Sequence, residues 1–132
     1  TVAPSNQISA FEGKKVLVVD DDLRNTYALS KVLKSKGLKI VIVDNGQMAI
    51  DKLQEEQDFH LILMDIMMPI MDGYEAIKQI RSKYGKDYPI IALTAKAMAE
   101  DREQCLNAGA NDYLTKPVET QKLVEMVRVW LE

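Results

Sequence analysis

The chain has one cysteine, Cys105, one histidine, His60, and one tryptophan, Trp130, among 132 residues. A lone thiol excludes an internal disulfide framework and leads us to expect an intracellular setting. Basic charge is not in excess: 17 Lys and Arg stand against 20 Asp and Glu, a net charge of -3. Such a chain lacks the positive field that nucleic-acid binding requires, and none is expected. No apolar run approaches the ~20 residues that span a bilayer. The polar start has no apolar stretch of the signal-peptide kind. Direct membrane contact is therefore not expected, and the expected location is cytoplasmic, whether or not a longer parent is membrane-anchored. Internal repeats and low-complexity segments are also lacking.

What is present fits one compact domain. Hydrophobic residues make up 47% and charged residues 28%, an ordinary balance for a chain with a single core. Residues 1–13 are small and polar, carry Pro4, and read as a linker or tail, leaving residues 14–132 as the domain. A start at Thr1 rather than Met is expected of a piece of a longer protein or of a trimmed terminus.

Short apolar runs alternate with amphipathic stretches. The runs are Val16–Val19, Ile40–Val43, Leu61–Met64, Ile90–Leu93 and the weaker Tyr113–Leu114. The first four are continuous, the pattern of strands buried on both faces of a parallel sheet. Helical stripes lie between them: Ala28, Leu29, Val32 and Leu33, ended by Gly37; Ala49, Ile50 and Leu53; Ala76, Ile77 and Ile80, capped by Asp72; a stretch from Ala97 to Asn107 ended by Gly109; and Leu123, Val127 and Trp130 with Met126. Five βα units predict an α/β fold: a doubly wound, five-stranded parallel sheet of order 2-1-3-4-5 flanked by five helices.

Open sheets of this kind bind ligands beyond the carboxyl ends of their strands. There the sequence places Asp20, Asp21 and Asp22 after strand one, Asp65 after strand three, Thr94 after strand four and Lys116 after strand five. Crowded carboxylates repel one another, and a divalent cation relieves the repulsion. An all-oxygen ligand set that must also receive phosphate oxygens suits Mg²⁺, and the lack of His or Cys there argues against zinc. Such a crevice is equipped for phosphoryl transfer. Asp65 is the expected nucleophile, Mg²⁺ and Lys116 neutralise the phosphoryl oxygens, and Thr94 can hydrogen-bond one of them. The added charge would reorder nearby loops.

Four segments in this order resemble the receiver domains of two-component response regulators: Val-Leu-Val-Val-Asp-Asp-Asp at 16–22, Met-Asp-Ile-Met-Met-Pro-Ile-Met-Asp-Gly at 64–73, Ala-Leu-Thr-Ala at 92–95 and Asp-Tyr-Leu-Thr-Lys-Pro at 112–117. The resemblance implies a flavodoxin-like fold, and phosphoryl transfer from a phosphohistidine to Asp65. It implies a metal site of Asp20, Asp21, Asp65 and the Met67 backbone carbonyl, with Asp21 and Asp22 as the shifted alternative. It also implies Thr94 and Tyr113 as a switch pair, a face around them that signals to partners, Lys116 as a salt-bridging lysine, a cis Lys116–Pro117 peptide, and tuning of the acyl-phosphate lifetime at Met67 and Lys96. Segments 11–15, 22–25 and 97–106 are similar to receivers fused to hybrid sensor histidine kinases. The implied partners are a histidine kinase or a histidine phosphotransfer domain, and a weak homodimer is allowed. The domain is not expected to be a turnover enzyme.

Rival readings exist for these residues. A phosphatase of the haloacid dehalogenase type would use Asp20 as nucleophile and Asp22 as acid–base, but it leaves Asp65 unused and lacks a late acidic motif. A flavin carrier would need a hydroxyl- and glycine-rich phosphate loop where this chain has acids. A receiver that only docks is a third. The acids at 20–22 could in part cap a helix. His60 falls at the wrong end of strand three to be a phosphodonor. Cys105 and Trp130 read as packing residues.

Overall fold

The computed structural model describes residues 11–68, 71–85, 88–95 and 98–131. Lys96, Ala97 and the Pro69–Ile70 part of the acceptor loop, singled out above, lie outside the described residues, as does most of the expected tail.

Five strands, β1 (Lys15–Val19), β2 (Lys39–Val43), β3 (Leu61–Asp65), β4 (Ile90–Thr94) and β5 (Asp112–Thr115), form one parallel sheet of order β2-β1-β3-β4-β5. Five helices follow them in turn: α1 (Leu23–Ser35), α2 (Gly46–Glu55), α3 (Gly73–Tyr84), α4 (Ala99–Ala108) and α5 (Thr120–Leu131). None of the described helices is long and apolar enough to cross a membrane.

Alternation along each strand divides the core into two halves. Leu17, Val19, Ile62, Met64, Ile90 and Ala92 face α2, α3 and α4, where Ala49, Leu53, Ala76, Ile77, Ile80 and Cys105 meet them. Val16, Val18, Leu61, Leu63, Ile91, Leu93 and Leu114 face α1 and α5, where Leu29, Leu33, Leu123 and Val127 meet them. β3 and β4 are buried along their whole length, as their continuous apolar runs require.

Three features depart from the sequence reading. β2 lies at the edge, as the expected order requires, but its continuous apolar run is not buried on both faces: Ile42 is 40% exposed. On α1 the buried face is Thr26, Leu29, Ser30 and Leu33, while Ala28 faces solvent. Phe11, assigned to the tail, is buried in the α1/α5 half of the core with the Arg128 guanidinium over its ring, so the packed body begins before Lys14.

The helix ends carry clear punctuation, expected at Asp72 and Gly109 and among the acids at 20–22 but not at Asn45. Asp22, Asn45 and Asp72 cap α1, α2 and α3 by accepting from backbone N–H groups of the first turns. Gly109 ends α4 at φ 119°, in the left-handed region that a side chain resists. α4 begins at Ala99, after the uncapped Met98.

Candidate functional site: an acidic crevice bridged by a lysine

Every strand-end residue singled out above follows or closes one of β1, β3, β4 and β5, and the 2-1-3-4-5 order brings those ends together. Asp20 continues β1, and its N–H donates to the Val43 carbonyl at 3.1 Å. Asp65 closes β3 and Thr94 closes β4. Lys116 follows β5 and its N–H donates to the Thr94 carbonyl at 2.7 Å, which ties those two strand ends. The Lys116–Pro117 peptide is cis.

Asp20 is fully buried, Asp65 is 2% exposed and Thr94 is buried beside them. Two carboxylates cannot sit in that environment without a counter-charge. Lys116 Nζ supplies it, 3.0 Å from Asp65 Oδ1 and 3.3 Å from Asp20 Oδ2. One ammonium shared by two acids leaves negative charge in excess. Burial pushes the Asp65 carboxyl up to about 6; the Lys116 hydrogen bond pulls it back, and the Asp20 charge raises it again. For Lys116, burial opposes the ammonium form, but hydrogen bonding and attraction to Asp65 and Asp20 outweigh it, and its pKa lies above the ordinary lysine value.

Asp20, Asp21 and Asp65 each offer an oxygen within 4.8 Å of the others. Asp21 is exposed, so the cluster opens to solvent on that side. Asp22 is engaged elsewhere, because its Oδ1 accepts from the N–H groups of Arg24 at 3.0 Å and Asn25 at 3.4 Å and so caps α1. The geometry thus groups Asp20 with Asp21 rather than Asp21 with Asp22. Met67 is 58% exposed at the rim, its N–H donating to Asp65 Oδ1 at 3.3 Å. Gly73 opens α3 against the back of the site, where a Cβ would collide with the Asp65 carbonyl oxygen and the Ile66 Cα.

Tyr113 lies one strand away on β5, half-buried, with the Arg102 guanidinium 5.8 Å from its ring centre. His60 precedes β3 at the far end of the sheet, where Nδ1 accepts from the Lys15 N–H at 3.0 Å. Cys105 is buried between α3 and α4, and burial raises its thiol pKa while Tyr74 lowers it. Trp130 packs against the core and donates through Nε1 to Asp112 Oδ2 at 3.2 Å.

One residue of the crevice is not marked for the site by its sequence. Asn25 Nδ2 donates to Asp20 Oδ2 at 2.6 Å. The available signal is position: a polar side chain at the third residue of a helix reaches back over the residues that precede the helix.

The chain belongs to the response regulator receiver domain family, whose model matches residues 16–128. Among curated proteins it is 40% identical over 120 residues to the sensor histidine kinase GacS of Pseudomonas protegens; the match covers 88% of this chain and 13% of the kinase. The chain therefore spans about an eighth of the length of that relative. Among solved structures it is similar to the receiver domain of the sensor histidine kinase PA1611 of Pseudomonas aeruginosa, crystallised with magnesium in its active-site cleft (TM-score 0.82, 38% identity, 90% of this chain and 98% of that one). It is also similar to a co-crystal structure from Saccharomyces cerevisiae of the histidine phosphotransfer protein Ypd1 with the receiver domain of Ssk1 (TM-score 0.85, 34% identity, 91% and 90% covered). This is a receiver domain of the two-component phosphorelay class, with relatives among the hybrid sensor kinases.

Proposed function

We propose that this domain accepts a phosphoryl group on Asp65 from a phosphohistidine and passes the change of charge to its surface. The observation that carries the reading is the Lys116 ammonium held between Asp65 and Asp20 at 3.0 and 3.3 Å in a buried crevice. A lone buried acid would be neutralised by a proton. An acid with a fixed cation and two acidic neighbours is arranged for a transferable dianion and its counter-ion.

The three acid oxygens within 4.8 Å of one another form a hard-oxygen set that fits Mg²⁺. Asp20, Asp21, Asp65 and the Met67 carbonyl would hold it. When bound, Mg²⁺ supplies charge neutralisation for the phosphoryl oxygens. The chain's own groups do the rest. An Asp65 oxygen attacks phosphorus, the P–N bond to the donor imidazole breaks, and the imidazole leaves as the neutral ring after taking a proton. Lys116 steadies the transferred oxygens, and Thr94 donates its hydroxyl to one of them. That movement frees space into which Tyr113 turns, which alters the α4–β5 face. Water attack on the acyl phosphate, or onward transfer, resets the domain.

The partner is a histidine kinase or a histidine phosphotransfer domain. The surface beside the crevice suits a helical donor: Leu23 and Tyr27, one turn apart on α1, are 71% and 70% exposed, and Met67 stands exposed at the rim. The phosphatase alternative is disfavoured, because its acid–base candidate Asp22 is occupied as a helix cap.

Incubation with a small phosphodonor and Mg²⁺, followed by intact-mass spectrometry, tests the reading. A single phosphoryl gain is expected that requires Mg²⁺ and disappears in Asp65→Asn. A gain that survives in Asp65→Asn and is lost in Asp20→Asn would move the nucleophile to Asp20. No gain in the wild type would leave a docking module.

A further inference from the structure

The Asp20 carboxylate is gripped from one side by the start of α1. Asn25 Nδ2 donates to Oδ2 at 2.6 Å and the Asp22 N–H donates to Oδ1 at 2.9 Å. Both donors belong to one rigid turn, because Asp22 caps α1 through its own side chain and Asn25 is the third residue of that helix. Lys116 Nζ reaches the same Oδ2 from the opposite side at 3.3 Å. Asp20 is fully buried, so no water can take over a lost donor without entering the core.

We infer that Asn25 is a positioning residue for the metal site: its amide fixes the plane of the Asp20 carboxylate and keeps Lys116 shared between Asp20 and Asp65. The inference rests on the phosphoacceptor reading above. A carboxylate that presents one fixed face to a cation binds it better than one free to rotate, and the outer partner that fixes it typically contributes 10- to 100-fold in affinity. Without the amide, Oδ2 keeps only the longer contact to Lys116. The carboxylate then turns toward the ammonium, tightens that pair and draws Lys116 away from Asp65, 3.0 Å off on its other side. The ligand set of Asp20, Asp21 and Asp65 loses its mutual orientation while the fold, capped by Asp22, stays intact.

This predicts a separation of effects. Asn25→Leu keeps the number and branching of the side-chain heavy atoms and has no donor. Its Mg²⁺ dissociation constant, read by calorimetry, is expected to rise about 10-fold. The Mg²⁺ concentration that half-saturates phosphoryl gain from a small phosphodonor should rise in parallel. Asn25→Gln keeps an amide on a longer arm and should recover part of the affinity. Asn25→Ala repeats the measurement should the leucine variant not fold, and thermal melts without metal verify that each variant is native. Mg²⁺ affinity within twofold of wild type in native Asn25→Leu or Asn25→Ala would overturn the inference. Tighter binding would overturn it too, because Asn25 would then compete with the metal. Loss of rate at saturating Mg²⁺ with unchanged affinity would place Asn25 elsewhere in the reaction. If wild-type protein binds no Mg²⁺ and gains no phosphoryl group, the phosphoacceptor reading fails instead.

Discussion

Asp65 is asked to be a nucleophile and is placed where a carboxylate is uncomfortable. Its pKa, raised by burial to about 6, means that the folded protein holds this proton more tightly than the unfolded chain, whose carboxylate titrates near 3.8. Folding is therefore favoured by this group below the unfolded value, and the advantage is lost as pH rises from about 4 to about 6. A shift of about two units corresponds to roughly 3 kcal/mol. In metal-free buffer, urea unfolding midpoints should fall across that window, and in Asp65→Asn the fall should be absent. Above pH 6 the asparagine variant should be the more stable, by up to roughly 3 kcal/mol. An unchanged pH profile in the variant would mean that Asp65 titrates as an ordinary surface acid. At this scale the sequence is legible where a residue's position along the chain decides its role. A strand-end Asp, Thr and Lys can be read from the apolar runs that precede them. Asn25 cannot be separated from an ordinary helix residue, because its contact to Asp20 depends on a side-chain direction that spacing does not specify.

Among the elements, α4 is anchored least. Only Cys105 and Ala108 of its ten residues are buried, and its start has no side-chain cap. α3, by contrast, buries Gly73, Ala76, Ile77 and Ile80 and is capped by Asp72. Local opening costs little where few apolar contacts must break. In hydrogen–deuterium exchange of the unmodified domain, α4 amides should therefore lose protection first among the helices, well before those of α3. Exchange of α4 as slow as that of α3 would show that contacts beyond the helix core hold it. α4 also explains where the element pattern is hard to read. A helix with so slight an apolar face gives a weak period, which leaves its bounds hard to read. β2 misleads for a related reason: the run Ile40–Val43 is as apolar as a central strand, although the expected 2-1-3-4-5 order already places it at the edge, where Ile42 is left 40% exposed. β3 and β4 are plain in the sequence because burial on both faces leaves no polar position to confuse the pattern.

The whole molecule separates chemistry from fastening along the strand direction. At the carboxyl ends sit Asp20, Asp65, Thr94 and Lys116, a group whose charges do not balance. At the amino ends of β4 and β5, Arg81 from the last turn of α3 binds four acceptors: Nε to the Gly109 carbonyl at 2.8 Å, Nη1 to the Gly85 carbonyl at 3.1 Å and the Tyr88 carbonyl at 2.7 Å, and Nη2 to Asn111 Oδ1 at 2.5 Å. Asn111 Oδ1 also accepts from the Ile90 N–H at 2.8 Å, which joins the two strand starts. Burial lowers the guanidinium pKa, yet none of these four partners is a carboxylate, so the group acts through directed hydrogen bonds rather than as half of an ion pair. Removing it strands several acceptors at once. With hydrogen bonds to charged groups contributing about 1.5–3 kcal/mol net, Arg81→Ala should lower unfolding stability by about 3 kcal/mol. The crevice lies the length of a strand away and shares no partner with Arg81, so coupling between the two should be slight. Mg²⁺ affinity and phosphoryl gain of the variant, measured well below its melting point, should stay within about twofold of wild type. A stability loss with unchanged site properties would mark the amino-end network as fastening alone. A parallel loss of Mg²⁺ affinity would mean that β4 and β5 transmit the position of their amino ends to Thr94 and Lys116, and that the two ends of the sheet work as one body.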